Sequence, residues 1–202
     1  AFFGGSLIAA LMQGIALGGG SLVNSAICNK APDFVLDDWC AKFDLEHTTL
    51  ADLDPHYDAV GDFLGIARTP ENVLGRRNLL FKQGCDVLGY SSEPMPRNVV
   101  GCRGTGECFT GCRNRAKQSM DISYVPAALR HGARVFTSLQ VQGVTREGRR
   151  VTGVEGQVVE PFTGRTGHRF AIRARSVVLA AGCMATPVLL QRSGDLANAS
   201  RQ

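Results

Sequence analysis

The sequence predicts an α/β fold, α+β in part, on three observations. Helical patterns occupy residues 31–129, β-rich runs follow over 134–159, and an apolar run at 176–181 feeds directly into a last helix. No internal repeat and no low-complexity linker interrupts this order.

Taken in turn, "APDFVLDDWCAKFDL" (31–45) reads as a turn and then an amphipathic helix, with Phe34, Val35, Trp39 and Phe43 available for one face. "TTLADLDPHYDAVGDFLGI" (48–66) is a second helical stretch that Pro55 and Gly61 are expected to break. "TPENVLGRRNLLFKQGCDVLG" (69–89) has the strongest helix signals: Thr69 as cap, Pro70 and Glu71 in the first turn, Gly84 or Gly89 at the end. Residues 91–112, rich in Pro and Gly, read as loop, and Ala116–Leu129 as a helix that Pro126 interrupts or restarts. "RVFTSLQVQGVTRE" and "RRVTGVEGQVV" are strands joined by a hairpin turn at Glu147-Gly148. "SVVLAA" (176–181) is expected to be a buried sheet strand, and "TPVLLQRSG" (186–194) a helix with Pro187 in its first turn and Gly194 past its end.

The chain has 202 residues, 44% hydrophobic and 20% charged, ordinary values for a soluble globular protein. Its net charge of +4 is unevenly spread: residues 1–100 hold 7 Lys+Arg against 12 Asp+Glu, and 101–202 hold 15 against 6. The arginines are scattered, without basic blocks or interleaved aromatics, so no nucleic-acid partner is expected. Ala1 to Asn29 carries no charged residue, but its glycines and polar side chains make a poor spanning helix, and no basic region precedes it as in a secretory signal. Membrane association is left open. A soluble protein is expected, with the compartment, cytoplasmic or periplasmic, unassigned. A start without Met, inside apolar sequence, reads as a fragment.

Two segments carry candidate chemistry. "GIALGGGSLVNSAI" (14–27) contains three consecutive glycines, Gly18, Gly19 and Gly20, followed by Ser21 and Asn24. Glycines admit positive φ and let backbone amides approach a phosphate, although the spacing alone also fits a plain turn. "GCRGTGECFTGC" (101–112) holds Cys102, Cys108 and Cys112, three of seven cysteines. An odd count rules out complete pairing within the chain. The Cys-x5-Cys-x3-Cys spacing lacks a fourth ligand for structural zinc. It suits a three-iron cluster better than zinc, and a packed thiol loop is the other reading. Arg113 and Lys117 beside this loop read as solvated charges. His47, His56, His131 and His168 read as surface residues.

Several segments together resemble the glucose–methanol–choline (GMC) family of FAD-dependent oxidoreductases. "GIALGGGSLVNSAICNKAPDFVLDDW" (14–39) is similar to the family's first signature, and "GCMATPVLLQRSG" (182–194) to its second. Between them, "GCRNRAKQSMDISYVPAALRHGARVFTSLQVQGVTREGRRVTGV" (111–154) resembles the region bridging the two, in the manner of bacterial long-chain-alcohol-oxidase-like and sterol-oxidase-like members. Ile15, Cys28, Cys183 and Asp195-Leu196 depart from the signatures, while the glycines, Asn24, Thr186, Pro187, Ser193 and Gly194 keep to them.

The resemblance implies an internal piece of a two-domain, Rossmann-like FAD-binding flavoprotein. Residues 1–30 would belong to the FAD-binding domain, 31–115 to a helical and loop insertion, and 116–202 to further FAD-binding strands and helices. The Gly-x-Gly-x-x-Gly unit and the C-terminal segment with the catalytic His would lie outside the chain. No catalytic residue is therefore assigned within it, and the chain alone is expected to be inactive. The implied reaction is oxidation of the CH–OH group of an alcohol, sterol or sugar by hydride transfer to flavin. Its partners are a small-molecule alcohol and an electron acceptor (oxygen, a quinone or a cytochrome). Gly18, Gly19, Gly20, Ser21, Asn24, Val141, Ala181, Gly182 and Thr186 are the implied FAD contacts, Val141 through its backbone to adenine. Related sugar dehydrogenases carry a [3Fe-4S] cluster on similar cysteine spacing, so the alternative reading is an iron–sulfur relay through Cys102, Cys108 and Cys112.

Overall fold

The computed structural model of the chain describes residues 14–194 and two short strands before them, β1 (Phe2–Gly4) and β2 (Leu7–Ala9), paired antiparallel with Phe3 opposite Ile8. Helix and sheet are mixed, as expected. The chain divides between Ala133 and Arg134 into two compact units.

The first unit holds four helices among the described residues. Helix α1 (Asp33–Phe43) follows Pro32, whose extended ψ of 145° suits the residue before a helix, and ends at Asp44 in the left-handed region. Its buried contact is Leu36, at 3% exposure, whereas Phe34, Trp39 and Phe43 are largely exposed, so the expected aromatic face is not the packed one. Helix α2 (Leu50–Leu64) runs unbroken through Pro55 and Gly61, contrary to expectation. The carbonyl that loses a donor at Pro55 belongs to exposed Ala51 and can turn to solvent, and a full capping box of Thr49 and Asp52 secures the first turn. Gly65 closes the helix at φ 58°.

The expected helix 69–89 starts late. Glu71–Val73 form a single 3-10 turn, Leu74 is extended, and α3 (Arg76–Leu88) begins after Gly75. Thr69 does not cap it: Thr69 is buried, and its hydroxyl donates to the Met95 carbonyl at 3.0 Å. Gly84 lies inside α3, and Gly89, at φ 72°, ends it. Strand β3 (Ile66–Arg68) pairs antiparallel with β4 (Pro96–Asn98), which interrupts the expected loop. The expected helix from Ala116 is shorter, α4 (Tyr124–Arg130), with Pro126 in its first turn. Residues 116–118 instead run beside 98–100, through Val100 N–H to the Ala116 carbonyl and Gln118 N–H to the Asn98 carbonyl.

Among the described residues the second unit is a three-stranded antiparallel sheet with one helix. Strands β5 (Leu139–Glu147), β6 (Arg150–Val159) and β7 (Thr166–Arg173) pair in chain order, the first two through the expected turn at Gly148, φ 59°. Backbone closeness fixes glycine in β6: a Cβ at Gly156 would stand 2.0 Å from the Gln140 carbonyl oxygen. Helix α5 (Ala185–Arg192) carries Pro187 in its first turn as expected. "SVVLAA" is not a strand: 176–181 joins no sheet among the described residues, and Val178 is 89% exposed. An apolar run becomes a buried strand only when neighbouring strands accept its backbone hydrogen bonds, and no strand among the described residues pairs with this one. The Asp195-Leu196 departure lies outside the described residues.

Candidate functional site

In the first unit the three glycines form one tight turn. Gly18 has φ 99° and Gly19 φ 55°, and Gly19–Leu22 close a 3-10 turn. Side chains are excluded on one side only. A Cβ at Gly18 would meet the Leu22 side chain at 2.4 Å and the Asp121 backbone at 3.0 Å, whereas a Cβ added at Gly19 or Gly20 would meet nothing within 4 Å. Gly19 and Gly20 thus present bare backbone to open space.

The two polar residues beside this turn work inward. The Ser21 hydroxyl donates to the Gly18 carbonyl at 2.6 Å and accepts from the Met120 N–H at 3.0 Å, tying the turn to residues 119–121. The Asn24 side-chain oxygen accepts from the Ala26 N–H at 3.1 Å. That bond holds fully buried Ala26 at φ 61°, a conformation that costs a non-glycine residue about 1 kcal/mol. Asn98 N–H completes the restraint by donating to the Ala26 carbonyl at 3.1 Å.

Lys117 is the principal residue the sequence reading misplaced. It is 2% exposed rather than solvated, and is the largest fully buried side chain among the described residues. Its ammonium donates to three carbonyls: Leu22 at 2.5 Å, Asn24 at 3.1 Å and Cys108 at 2.7 Å. One nitrogen thereby ties the end of the glycine turn to the cysteine loop. Burial pushes its pKa below the usual lysine value, while the Cys108 and Cys112 sulfurs and Asp121 pull it back up. No local pattern announces this burial, which comes with a bridge between Lys117 and Val99. Arg113, by contrast, is exposed and ion-paired with Glu107.

Cys102, Cys108 and Cys112 all line one cavity of about 280 Å³, together with Arg97 and Lys117. Their sulfurs face donors. Arg97 Nη2 donates to Cys108 Sγ at 2.7 Å, and Gly104 N–H to Cys102 Sγ at 3.5 Å. Burial raises the Cys112 pKa, but the backbone N–H groups of Lys117, Ala116 and Asn114, with the Lys117 charge, outweigh it and hold the thiol below its ordinary 9.0. No group of three or more Cys, His, Asp or Glu among the described residues is arranged to hold a metal ion. The expected [3Fe-4S] ligand set is therefore not assembled. The spacing brought the thiols to one cavity, and the loop turned them toward cations and N–H groups.

In the second unit, Ala181, Gly182 and Thr186 meet in a single turn. Thr186 Oγ1 accepts from the Ala181 N–H at 3.1 Å, and Thr186 N–H donates to the Gly182 carbonyl at 3.0 Å. Gly182 has φ 91°, and both it and Ala181 are exposed. Val141 sits in β5 opposite Gly156, directly before a bulge at Gln142. Ser193, which was not singled out as a site residue, anchors α5 to this strand: its hydroxyl accepts from Val144 N–H at 3.0 Å and donates to the Leu189 carbonyl at 2.8 Å. The nine expected cofactor contacts thus fall into a glycine turn in the first unit and a strand and a turn in the second. All four histidines are exposed, as expected, and His56 lies within α2. No helix among the described residues is long and apolar enough to cross a membrane.

Comparison with known proteins places these elements. Residues 6–200 match the GMC oxidoreductase family. An uncharacterized GMC-type oxidoreductase of Mycobacterium tuberculosis is 33% identical over 91% of this chain and 28% of its own length. A long-chain-alcohol oxidase of Arabidopsis thaliana is 29% identical over 91% of this chain and 25% of its own length. A cholesterol oxidase of Acinetobacter baumannii is 24% identical over 94% and 39% respectively. The chain therefore spans between a quarter and two fifths of these relatives, and with a family match along nearly its whole length it belongs to the GMC oxidoreductases.

Proposed function

We propose that this chain is a cofactor-facing part of an FAD-dependent oxidoreductase that oxidises the CH–OH group of an alcohol or sterol. The observation that carries the reading is the family match over residues 6–200. Relatives named as long-chain-alcohol and cholesterol oxidases support the substrate class. Membership of an oxidoreductase family implies a small-molecule substrate and an electron acceptor. The iron–sulfur relay is dropped, because the cysteine loop does not form a metal-holding group among the described residues.

The residues present fit a phosphate-bearing cofactor. Gly19 and Gly20 offer backbone that a side chain would otherwise cover, and Gly182 offers a second exposed backbone turn. When bound, FAD would supply the hydride acceptor. In this chain Gly18–Gly20 would bind it by close backbone approach, and Ser21 would hold that turn against 119–121. Asn24 and Lys117 would fix the turn's exit, and Thr186 would fix the Ala181–Gly182 turn. Residues 1–30 and 116–202 would belong to the FAD-binding domain, with 31–115 inserted between them. No side chain here is assigned proton transfer, so the chain by itself would not turn over substrate. Exposed apolar residues such as Phe81, Val87 and Val178 would be covered by the rest of the protein.

The test is the visible spectrum and released cofactor of the purified whole protein. Stoichiometric FAD that bleaches anaerobically with a long-chain or sterol alcohol supports the reading, and a protein without flavin refutes it.

A further inference from the structure

We infer that the end of the three-stranded sheet nearest the β5–β6 turn is a docking surface for an acidic peptide segment of a partner protein. The inference uses only the second unit and stands apart from the flavin reading.

Across the described residues of that unit, 134–194, the sequence places nine arginines and no lysine against three glutamates. Their distribution is uneven. Arg149 lies in the turn, Arg150 opens β6, Arg173 closes β7 opposite Gly153, and Arg175 follows two residues on. Arg150, Arg173 and Arg175, with Arg146, line one cleft of about 720 Å³. All five are exposed. Glu147 is the one carboxylate among the residues lining the cleft, and it stands opposite Arg150 in the hairpin register. Glu155 lies midway along β6, and Glu160 accepts from the Phe162 and Thr163 N–H groups at the opposite end of the sheet. None of the ion pairs among the described residues includes Arg149, Arg150, Arg173 or Arg175. Arg146 is engaged separately, through the Ser193 carbonyl at 2.7 Å, which holds the end of α5 to the sheet.

A guanidinium cannot shed its proton, so arginines gathered at one end repel each other until water or a partner supplies counter-charge. Any covering that brought no carboxylates would strand these charges, so the surface that fits here is acidic. Three features favour a peptide over other polyanions. The guanidinium fork pairs a carboxylate through two parallel hydrogen bonds. The cleft is concave and receives projecting Asp and Glu side chains, whereas a bilayer presents a flat face. No aromatic residue and no leucine lines it, so it lacks the apolar groups that seat a basic surface in a membrane and the rings on which bases stack.

The probe is a fluorescein-labelled peptide of about ten glutamates, titrated with the whole native protein and followed by fluorescence anisotropy. Binding is expected at low ionic strength and should weaken about tenfold or more between about 0.05 M and about 0.5 M NaCl, as screening requires. Arg150→Glu with Arg173→Glu should weaken it about tenfold or more. Arg165→Glu with Arg169→Glu makes the same change in net charge around the start of β7, and should weaken it less than about twofold. Equal weakening by the two pairs assigns the binding to net charge alone and overturns the inference. Phosphatidylserine vesicles and duplex DNA are titrated in the same way. Loss of either with the first pair, while peptide binding stays, overturns it in favour of a membrane or a nucleic acid. Should the first pair fail to fold, phenylglyoxal modification of the unsubstituted protein, mapped by peptide mass spectrometry, decides. The peptide should shield Arg149, Arg150, Arg173 and Arg175 and leave Arg165 and Arg169 reactive. Equal shielding of all six, or no reaction at the first four even without peptide, overturns the inference.

Discussion

Replacing Lys117 by Met tests the central tie of the first unit. The variant keeps the length and apolar stem of the side chain but removes the ammonium that donates to Leu22, Asn24 and Cys108. Three hydrogen bonds from a charged donor are worth about 1.5–3 kcal/mol each. The ammonium's burial offsets several kcal/mol of that sum, since Lys117 is only 2% exposed. Water entering from the adjoining cavities rehydrates some of the stranded carbonyls. The net loss expected is about 3 kcal/mol, at the lower edge of the range for breaking a buried charged network. In urea denaturation of the whole protein, with m near 2 kcal/mol/M, this lowers the midpoint by about 1.5 M. Hydrogen exchange should quicken at Ala26 and Asn98, whose N–H groups hold the exit of the glycine turn. Lys117→Arg should not restore stability, because a planar guanidinium cannot direct three donors from one nitrogen to three separate carbonyls. A Lys117→Met protein within about 0.5 kcal/mol of the original, with unchanged exchange at Ala26, would refute the reasoning.

Gly156→Ala drives a Cβ to 2.0 Å from the Gln140 carbonyl, so the β5–β6 pair must separate there. A loss above about 2 kcal/mol is expected in thermal or urea unfolding. Thr186→Val removes the acceptor of the Ala181 N–H and should cost about 1 kcal/mol, with weaker FAD retention on gel filtration if that turn contacts the cofactor. Gly19→Ala places a side chain where backbone now faces open space and adds strain at φ 55°, so FAD content should fall more than stability does. The Asp52 carboxyl is held below its ordinary 3.8, first by the Thr49 hydroxyl and then by the Thr49 backbone, despite an opposing effect of burial. Its contribution is present above pH 3.8 and lost as pH falls through the lower folded value, so Asp52→Asn should make the acid limb of a stability–pH curve shallower.

Local chemistry made much of the chain legible. The bounds of α1, the hairpin at Gly148 and the proline in the first turn of α5 follow from residues that act on their immediate neighbours. The two glycine-bearing signatures were equally readable, because glycine is the residue that takes a positive φ at least cost, as Gly18, Gly19, Gly182 and Gly194 do. Elements that depend on distant partners were not readable. Thr69 turned away from its expected cap to reach Met95, twenty-six residues on.

The sequence by itself determined the family, the mixed fold and the positions of the glycine turns, all written in short-range spacing. Tertiary structure alone decided what the polar residues do. Ser21 and Asn24 spend their oxygens inside the protein, and Ala181, Gly182 and Thr186 close into one turn. Lys117, a surface charge by every local rule, is buried because residues 116–118 run beside 98–100 and carry it to three carbonyls. A charged side chain's place is set by which acceptors the fold brings within hydrogen-bond reach of it, and two of these three lie more than ninety residues away in sequence.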